Sequence, residues 1–260
     1  MEQLTNALNN EIAFTTIAVA AAIFTRMSAI SLFLPGLGER SIPVRVRLMA
    51  AMGITLVVYP LVSGKASVDL SISGLAFMLM AEAVAGALIG FSIRIAIFTV
   101  QIAGSIASQS LSLAQLFGAS IGFQPESPIA TILMITCVVL AVSSGLHFET
   151  INVLSTSYTL MPLGAFPGGG ETGQWAAERV AFSFAAALSL ALPFVTLGFI
   201  YNLAIGAANR AMPQLMVAFV GIPAVTLAGL VLLAMSAPVI LGVWIDLLND
   251  IIRDFLGSSL

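Results

Sequence analysis

The chain has 260 residues, of which 59% are apolar and only 8% charged. Soluble domains carry about 25% charged residues, so too little polar surface exists here to cover a water-facing globule. A net charge of −3 with no basic cluster excludes a nucleic-acid binder, and the single Cys137 excludes an internal disulfide framework.

The chain opens Met1-Glu2-Gln3-Leu4-Thr5, without a basic segment. Its first apolar stretch is followed by no convincing small-residue cleavage site, so it reads as retained rather than as a cleaved signal peptide. A bilayer core of about 30 Å needs about 20 apolar residues in a helix. Six stretches qualify as spans: 12–34, 46–62, 72–93, 129–146, 181–201 and 216–245. The last contains Pro223 and Pro238 and reads either as one kinked helix or as a hairpin that does not cross. Arg40, Arg45 and Arg47 follow the first span, Arg94 ends the third and Arg210 follows the fifth, whereas 147–175 carry no Lys or Arg. The positive-inside rule then gives an outside N-terminus and cytoplasmic arginine loops, with the C-terminus left open.

Two stretches read as something other than spans. Residues 101–123 are uncharged and rich in Ser, Gln and Gly, too polar for lipid and too apolar for a solvated loop. They read as irregular backbone, which membrane depth tolerates only inside protein or along a cavity. Gly104 and Gly118 are its candidate hinges. Phe117 and Phe123 suit a dry constriction that gates by dewetting. Residues 148–175, with Pro162, Pro167 and Gly168-Gly169-Gly170, read as turn-rich. No tandem repeat and no soluble domain boundary is visible.

Little enzymatic chemistry is in view. Ser63-Gly64-Lys65 lacks the earlier glycine of a phosphate-binding loop, Tyr59 standing in its place, and one His with one Cys cannot build a metal site. No cofactor is implied. Gly118-Ala119-Ser120-Ile121-Gly122 fits the nucleophile-elbow pattern, which leaves an intramembrane serine hydrolase using Ser120 and His147 as an alternative. That pattern needs a strand, a turn and a helix, and the surroundings here are helical. A small-molecule secondary transporter ranks above the hydrolase, but the two halves do not match in proline or charge placement. Arg26, Glu82, Arg94 and Arg179 lie in or beside apolar stretches, where charges require partners or a wet cavity. Glu82, Gly86 and Gly90 recur every four residues and so line one helix face. Gly86 and Gly90 form the close-packing G-x-x-x-G pattern, which makes that face a contact surface, with Glu82 paired to an Arg of this chain or of another. His147 beside Glu149 reads as an interfacial residue, and the methionines as gap-filling core.

Four segments, taken in order, carry a resemblance. They are Arg26 with Pro35-Gly36-Leu37-Gly38 and Ile42-Pro43-Val44-Arg45-Val46-Arg47 through Tyr59-Pro60; Glu82 with Gly86, Gly90 and Phe91; Gln101-Ile102-Ala103-Gly104 through Gln109 to Gly118; and Arg210-Ala211-Met212-Pro213-Gln214 through Phe219 to Gly221-Ile222-Pro223. Together they resemble the FliR family of flagellar export proteins, which includes the T subunit of virulence-type type III secretion gates. Relatives often carry a Lys shortly after the Gly-x-Pro, where this chain has Ala224 and Val225. The resemblance implies an all-α membrane protein of helical hairpins, with a FliP-like part (1–175) followed by a FliQ-like part (176–260). It implies a non-enzymatic pore subunit in the bacterial inner membrane, assembled with FliP-like, FliQ-like and FlhB-like partners and conducting unfolded proteins. It also places a pore plug at 106–122, bearing Ile106, Gln109, Leu113, Leu116, Phe117, Gly118, Ile121 and Gly122. Subunit contacts are implied at Arg26, Arg45, Glu82, Gly86, Gly90, Arg210, Pro213, Gln214, Phe219 and Pro223.

Overall fold

The computed structural model describes residues 2–39, 41–63, 69–111, 128–211 and 217–257. Among them every regular element is a helix: α1 (Glu2–Phe33), α2 (Val44–Val62), α3 (Ile72–Ser110), α4 (Pro128–Ser143), α5 (Leu146–Leu160), α6 (Gly169–Ala211) and α7 (Val217–Gly257). Five are long and apolar enough to cross a bilayer, and α4 with α5 makes a sixth candidate if the broken pair is one span. The chain is an all-α, multi-pass membrane protein. Large apolar side chains such as Met49, Leu56, Phe77, Met235 and Val239 stand more than half exposed, as a surface that meets lipid or protein rather than water requires.

Two expectations are corrected. Residues 101–110 are not irregular: α3 continues through Ser110. The hydroxyls of Ser105 and Ser110 donate to the carbonyls of Gln101 and Ile106 one turn back, at 2.8 Å each, which removes their need for water. Residues 148–160 are helical as well, forming α5, and only 161–168 run without helix. Of the two readings left open for the final segment, the structure takes the single helix: Pro223 and Pro238 both lie inside one continuous α7.

The chain divides into two compact units interleaved in sequence. The first comprises Met1–Arg94, Ala141–Ala177 and Leu248–Leu260. In it α1 buries Ala22, Ile23, Met27 and Ile30 at helical spacing, and α3 buries Ala81, Ala85 and Ile89. Gly86 and Gly90 bring α3 onto α1: a Cβ at Gly86 would strike the Arg26 carbonyl oxygen, and one at Gly90 would lie 3.0 Å from the Ile30 carbonyl oxygen. α2 packs on α1 and α5, and its buried residues are Ala51, Thr55, Val58 and Val62. After α1, Pro35 and Gly36 (φ 89°) turn the chain, and Arg47 and Arg94 fasten that turn. Arg47 Nε donates to the Leu37 carbonyl at 3.0 Å, and Arg94 Nη1 bonds Glu39 Oε1 at 2.7 Å.

The second unit comprises Ile95–Leu140 and Glu178–Leu247. Its core is stitched by polar contacts as well as by size complementarity. The fully buried Trp244 donates its indole N–H to the Ala96 carbonyl at 3.0 Å, and Thr99 and Ser183 share a buried hydroxyl hydrogen bond of 2.8 Å. Gly104 receives the Ala130 backbone, Gly198 the Ser110 carbonyl and Gly229 the Leu111 side chain.

Candidate functional site

The principal polar constellation lies in the first unit. Arg26 on α1 and Glu82 on α3 are both fully buried. The guanidinium grips the carboxylate with two parallel bonds, Nε to Oε2 at 2.7 Å and Nη2 to Oε1 at 3.0 Å. Arg26 Nη1 donates to Ser157 Oγ and Nη2 to the Met161 carbonyl, each at 3.0 Å. Glu82 accepts from the Tyr158 hydroxyl at 3.1 Å and from the Gly164 backbone N–H at 2.9 Å. The Tyr158 ring faces the guanidinium carbon at 3.8 Å from its centroid. Ser157 Oγ donates in turn to the Leu154 carbonyl at 2.7 Å.

Both charges are thus paired and hydrogen-bonded, which is what burial demands of them. Deleting one partner leaves the other as an uncompensated buried charge, at a cost of about 3–5 kcal/mol. Among the described residues no group of three or more His, Cys, Asp or Glu side chains comes together.

The structure sorts the expected site residues. Arg26, Glu82, Gly86 and Gly90 all come together, but inside this chain: the pair is fully buried, and the two glycines receive α1. They are not exposed subunit contacts, because α1 of the same polypeptide already fills that face. Arg45, Arg210 and Pro223 are exposed. Gly104 lies inside α3 against Ala130, Ile106 is half-buried and Gln109 is exposed. Leu113, Leu116, Phe117, Gly118, Ser120, Ile121, Gly122, Pro213 and Gln214, and the Phe219 side chain, fall outside the described residues. His147 lies in the first turn of α5, its ring tilted 44° to that of Phe148 with 4.1 Å between centroids. Ser157, Tyr158 and Gly164 were not singled out by sequence, because 148–175 reads there as loop. The available signal was the buried Arg–Glu pair itself, whose remaining hydrogen-bonding groups need partners.

Residues 17–251 match the family of bacterial export proteins, family 1. The chain belongs to this family. It is 31% identical over 240 residues to the flagellar biosynthetic protein FliR of Caulobacter vibrioides, covering 91% of this chain and 95% of that one. It is 29% identical over 218 residues to FliR of Pectobacterium carotovorum subsp. carotovorum, covering 84% and 83%. It is 28% identical over 207 residues to FliR of Escherichia coli K12, covering 79% of each. This bacterial export protein is a component of an export apparatus and not an enzyme, so the Ser120–His147 hydrolase falls away.

Proposed function

We propose that the chain is a pore subunit of a flagellar protein export gate in the bacterial inner membrane. The observation that carries this reading is the family match across 17–251, joined by relatives named as flagellar biosynthetic proteins over most of their length. The exposed apolar helices support it, since such surfaces suit lipid and neighbouring membrane subunits alike. In this reading the chain joins FliP-like, FliQ-like and FlhB-like partners, with 1–175 corresponding to a FliP-like part and 176–260 to a FliQ-like part. Arg45, Arg210, Pro213, Gln214, Phe219 and Pro223 remain the residues offered to partners. Unfolded proteins pass through the assembled channel, and an internal stretch stoppers it when closed. The stopper of this reading is 106–122, whose first residues, 106–110, form the last turn of α3.

Gentle extraction of the tagged chain from native membranes tests the assembly. Small helical membrane proteins should travel with it, and deletion of its gene should abolish flagellin export. A chain that isolates as a lone monomer, or a deletion strain that still exports flagellin, refutes the assignment. Removal of 106–122 tests the stopper: the assembled complex should form and should conduct small ions. Unchanged conductance in a confirmed assembly rules the stopper out.

A further inference from the structure

The buried ion pair is spent on more than joining α1 to α3. That contact is already closed by Gly86 and Gly90 at two successive turns. The remaining hydrogen bonds of the pair all run to the end of α5 and the chain reversal after it. α5 ends with Met161 as its C-cap, and the Met161 N–H bonds back to the Ser157 carbonyl at 2.8 Å. The last carbonyls of a helix lack intrahelical partners, and they carry the negative end of the helix dipole. Arg26 supplies a cation there, reaching the Met161 carbonyl and Ser157 Oγ. Three residues on, Gly164 adopts φ 76°, a conformation natural to glycine, and presents its N–H to Glu82. Apolar anchors flank these polar ones. Leu163 packs against Ala18, Ala22 and Met78, and the Phe166 ring lies 5.3 Å from Phe77.

We propose that Arg26 and Glu82 form a tertiary cap for α5: a charge pair lent by two other helices that fastens 161–164 as a strap across them. The pair stands in for water at a helix end whose neighbours are apolar. The strap then returns the chain towards α6, with the Met161 carbonyl and the Gly164 N–H each bonded to one member of the pair. Arg26 and Glu82 are positioning residues in this account. The strap is the element they position, and Ser157 and Tyr158 hold the pair in orientation.

Cysteine labelling of the full chain in native membranes, with the Cys137→Ser background, tests the cap. Leu163→Cys reports on the strap, and Ala29→Cys reports on the α1–α3 contact beside Gly86. Glu82→Ala should raise the N-ethylmaleimide reaction rate of the strap reporter by at least about tenfold, since it removes a charge-assisted cluster of bonds. Ser157→Ala and Tyr158→Phe, each removing a single bond to the pair and able to fold, should raise it by roughly two- to fivefold. Glu82→Gln keeps an acceptor for Gly164 and should fall between these values. In every variant the α1–α3 reporter should stay within about twofold of its parent rate. Equal acceleration at both reporters would show that the pair merely clasps α1 to α3, and an unchanged strap reporter would show that the strap holds without it. Either result overturns the cap. If Glu82→Ala does not accumulate, the two single-bond variants decide. The readout is chemical accessibility, so the outcome is independent of whether the chain exports protein.

Discussion

Gly86→Ala and Gly53→Ala make the same chemical change and should have opposite consequences. Each replaces a mid-helix glycine, and each gains about 1 kcal/mol of helix propensity. Around Gly53 nothing lies within 4 Å of the added methyl, so the gain is kept. At Gly86 the methyl would strike the Arg26 carbonyl oxygen and sit 2.9 Å from the Ala29 Cβ. Carbon atoms prefer about 3.5–4.0 Å, so α1 and α3 must part by nearly 1 Å or bend. A backbone carbonyl cannot rotate away as a flexible side chain would. Overpacking of this kind costs about 1–3 kcal/mol. The propensity terms cancel between the two variants, which leaves the packing term alone. At 2–4 °C per kcal/mol for a chain of this size, the two melting temperatures should differ by about 5 °C. The assay is thermal unfolding of each variant, purified in the same detergent. Coincident melting temperatures would refute the close approach of α1 and α3 at this glycine.

Two further outcomes follow from single contacts. Asp69 accepts from the Ser71 N–H and Oγ, both at 2.9 Å, while Ser71 Oγ accepts from the Gly74 N–H at 3.0 Å at the start of α3. The backbone bond first, and the hydroxyl second, hold the Asp69 carboxyl below its ordinary value. A lowered folded value means that the stabilisation is present above the unfolded pKa and is lost as pH falls through the folded one. Amide hydrogen exchange at 71–75 should therefore be slower in the parent than in Asp69→Asn near neutral pH, and the two should converge in acid; a difference that persists in acid would sink the carboxylate's role. Trp244→Phe should cost about 1 kcal/mol for the lost bond to the Ala96 carbonyl, against about 3–5 kcal/mol for Trp244→Ala. Equal melting temperatures for Trp244→Phe and the parent would show that the indole N–H contributes nothing.

The spans were legible because a bilayer imposes one requirement, about 20 apolar residues in a row, which composition reports directly. The polar stretches were misread because a residue type does not reveal where its hydrogen bonds go. Residues 101–110 hold Gln, Ser and Gly, yet Ser105 and Ser110 satisfy themselves on their own helix. The same holds in α5, where Ser155 and Thr159 donate to the carbonyls of Asn152 and Thr156. Once bonded in this way, a hydroxyl presents a nearly apolar surface, and a count of polar residues overstates the water they need. Gly104 was misread for a related reason. Conformational freedom and absence of bulk are two properties of one residue, and α3 uses the second to admit Ala130.

The charged residues obey the opposite logic, and that explains why their chemistry was readable while their partners were not. Arg26 and Glu82 cannot satisfy themselves locally, so burial alone guarantees that each has a partner. Their identity as partners depends on the packing of α1 against α3, which brings together residues 56 apart in sequence. The glycine spacing at 86 and 90 was the clue to that packing, since a face built for close approach next to a buried acid has to receive a helix carrying a base. Gly164 and Ser157 were hidden one step further, because their role exists only after the pair has formed. A buried ion pair has more hydrogen-bonding capacity than its two members use on each other. In an apolar setting that surplus draws in the nearest backbone that cannot satisfy itself, and here that backbone is the end of α5.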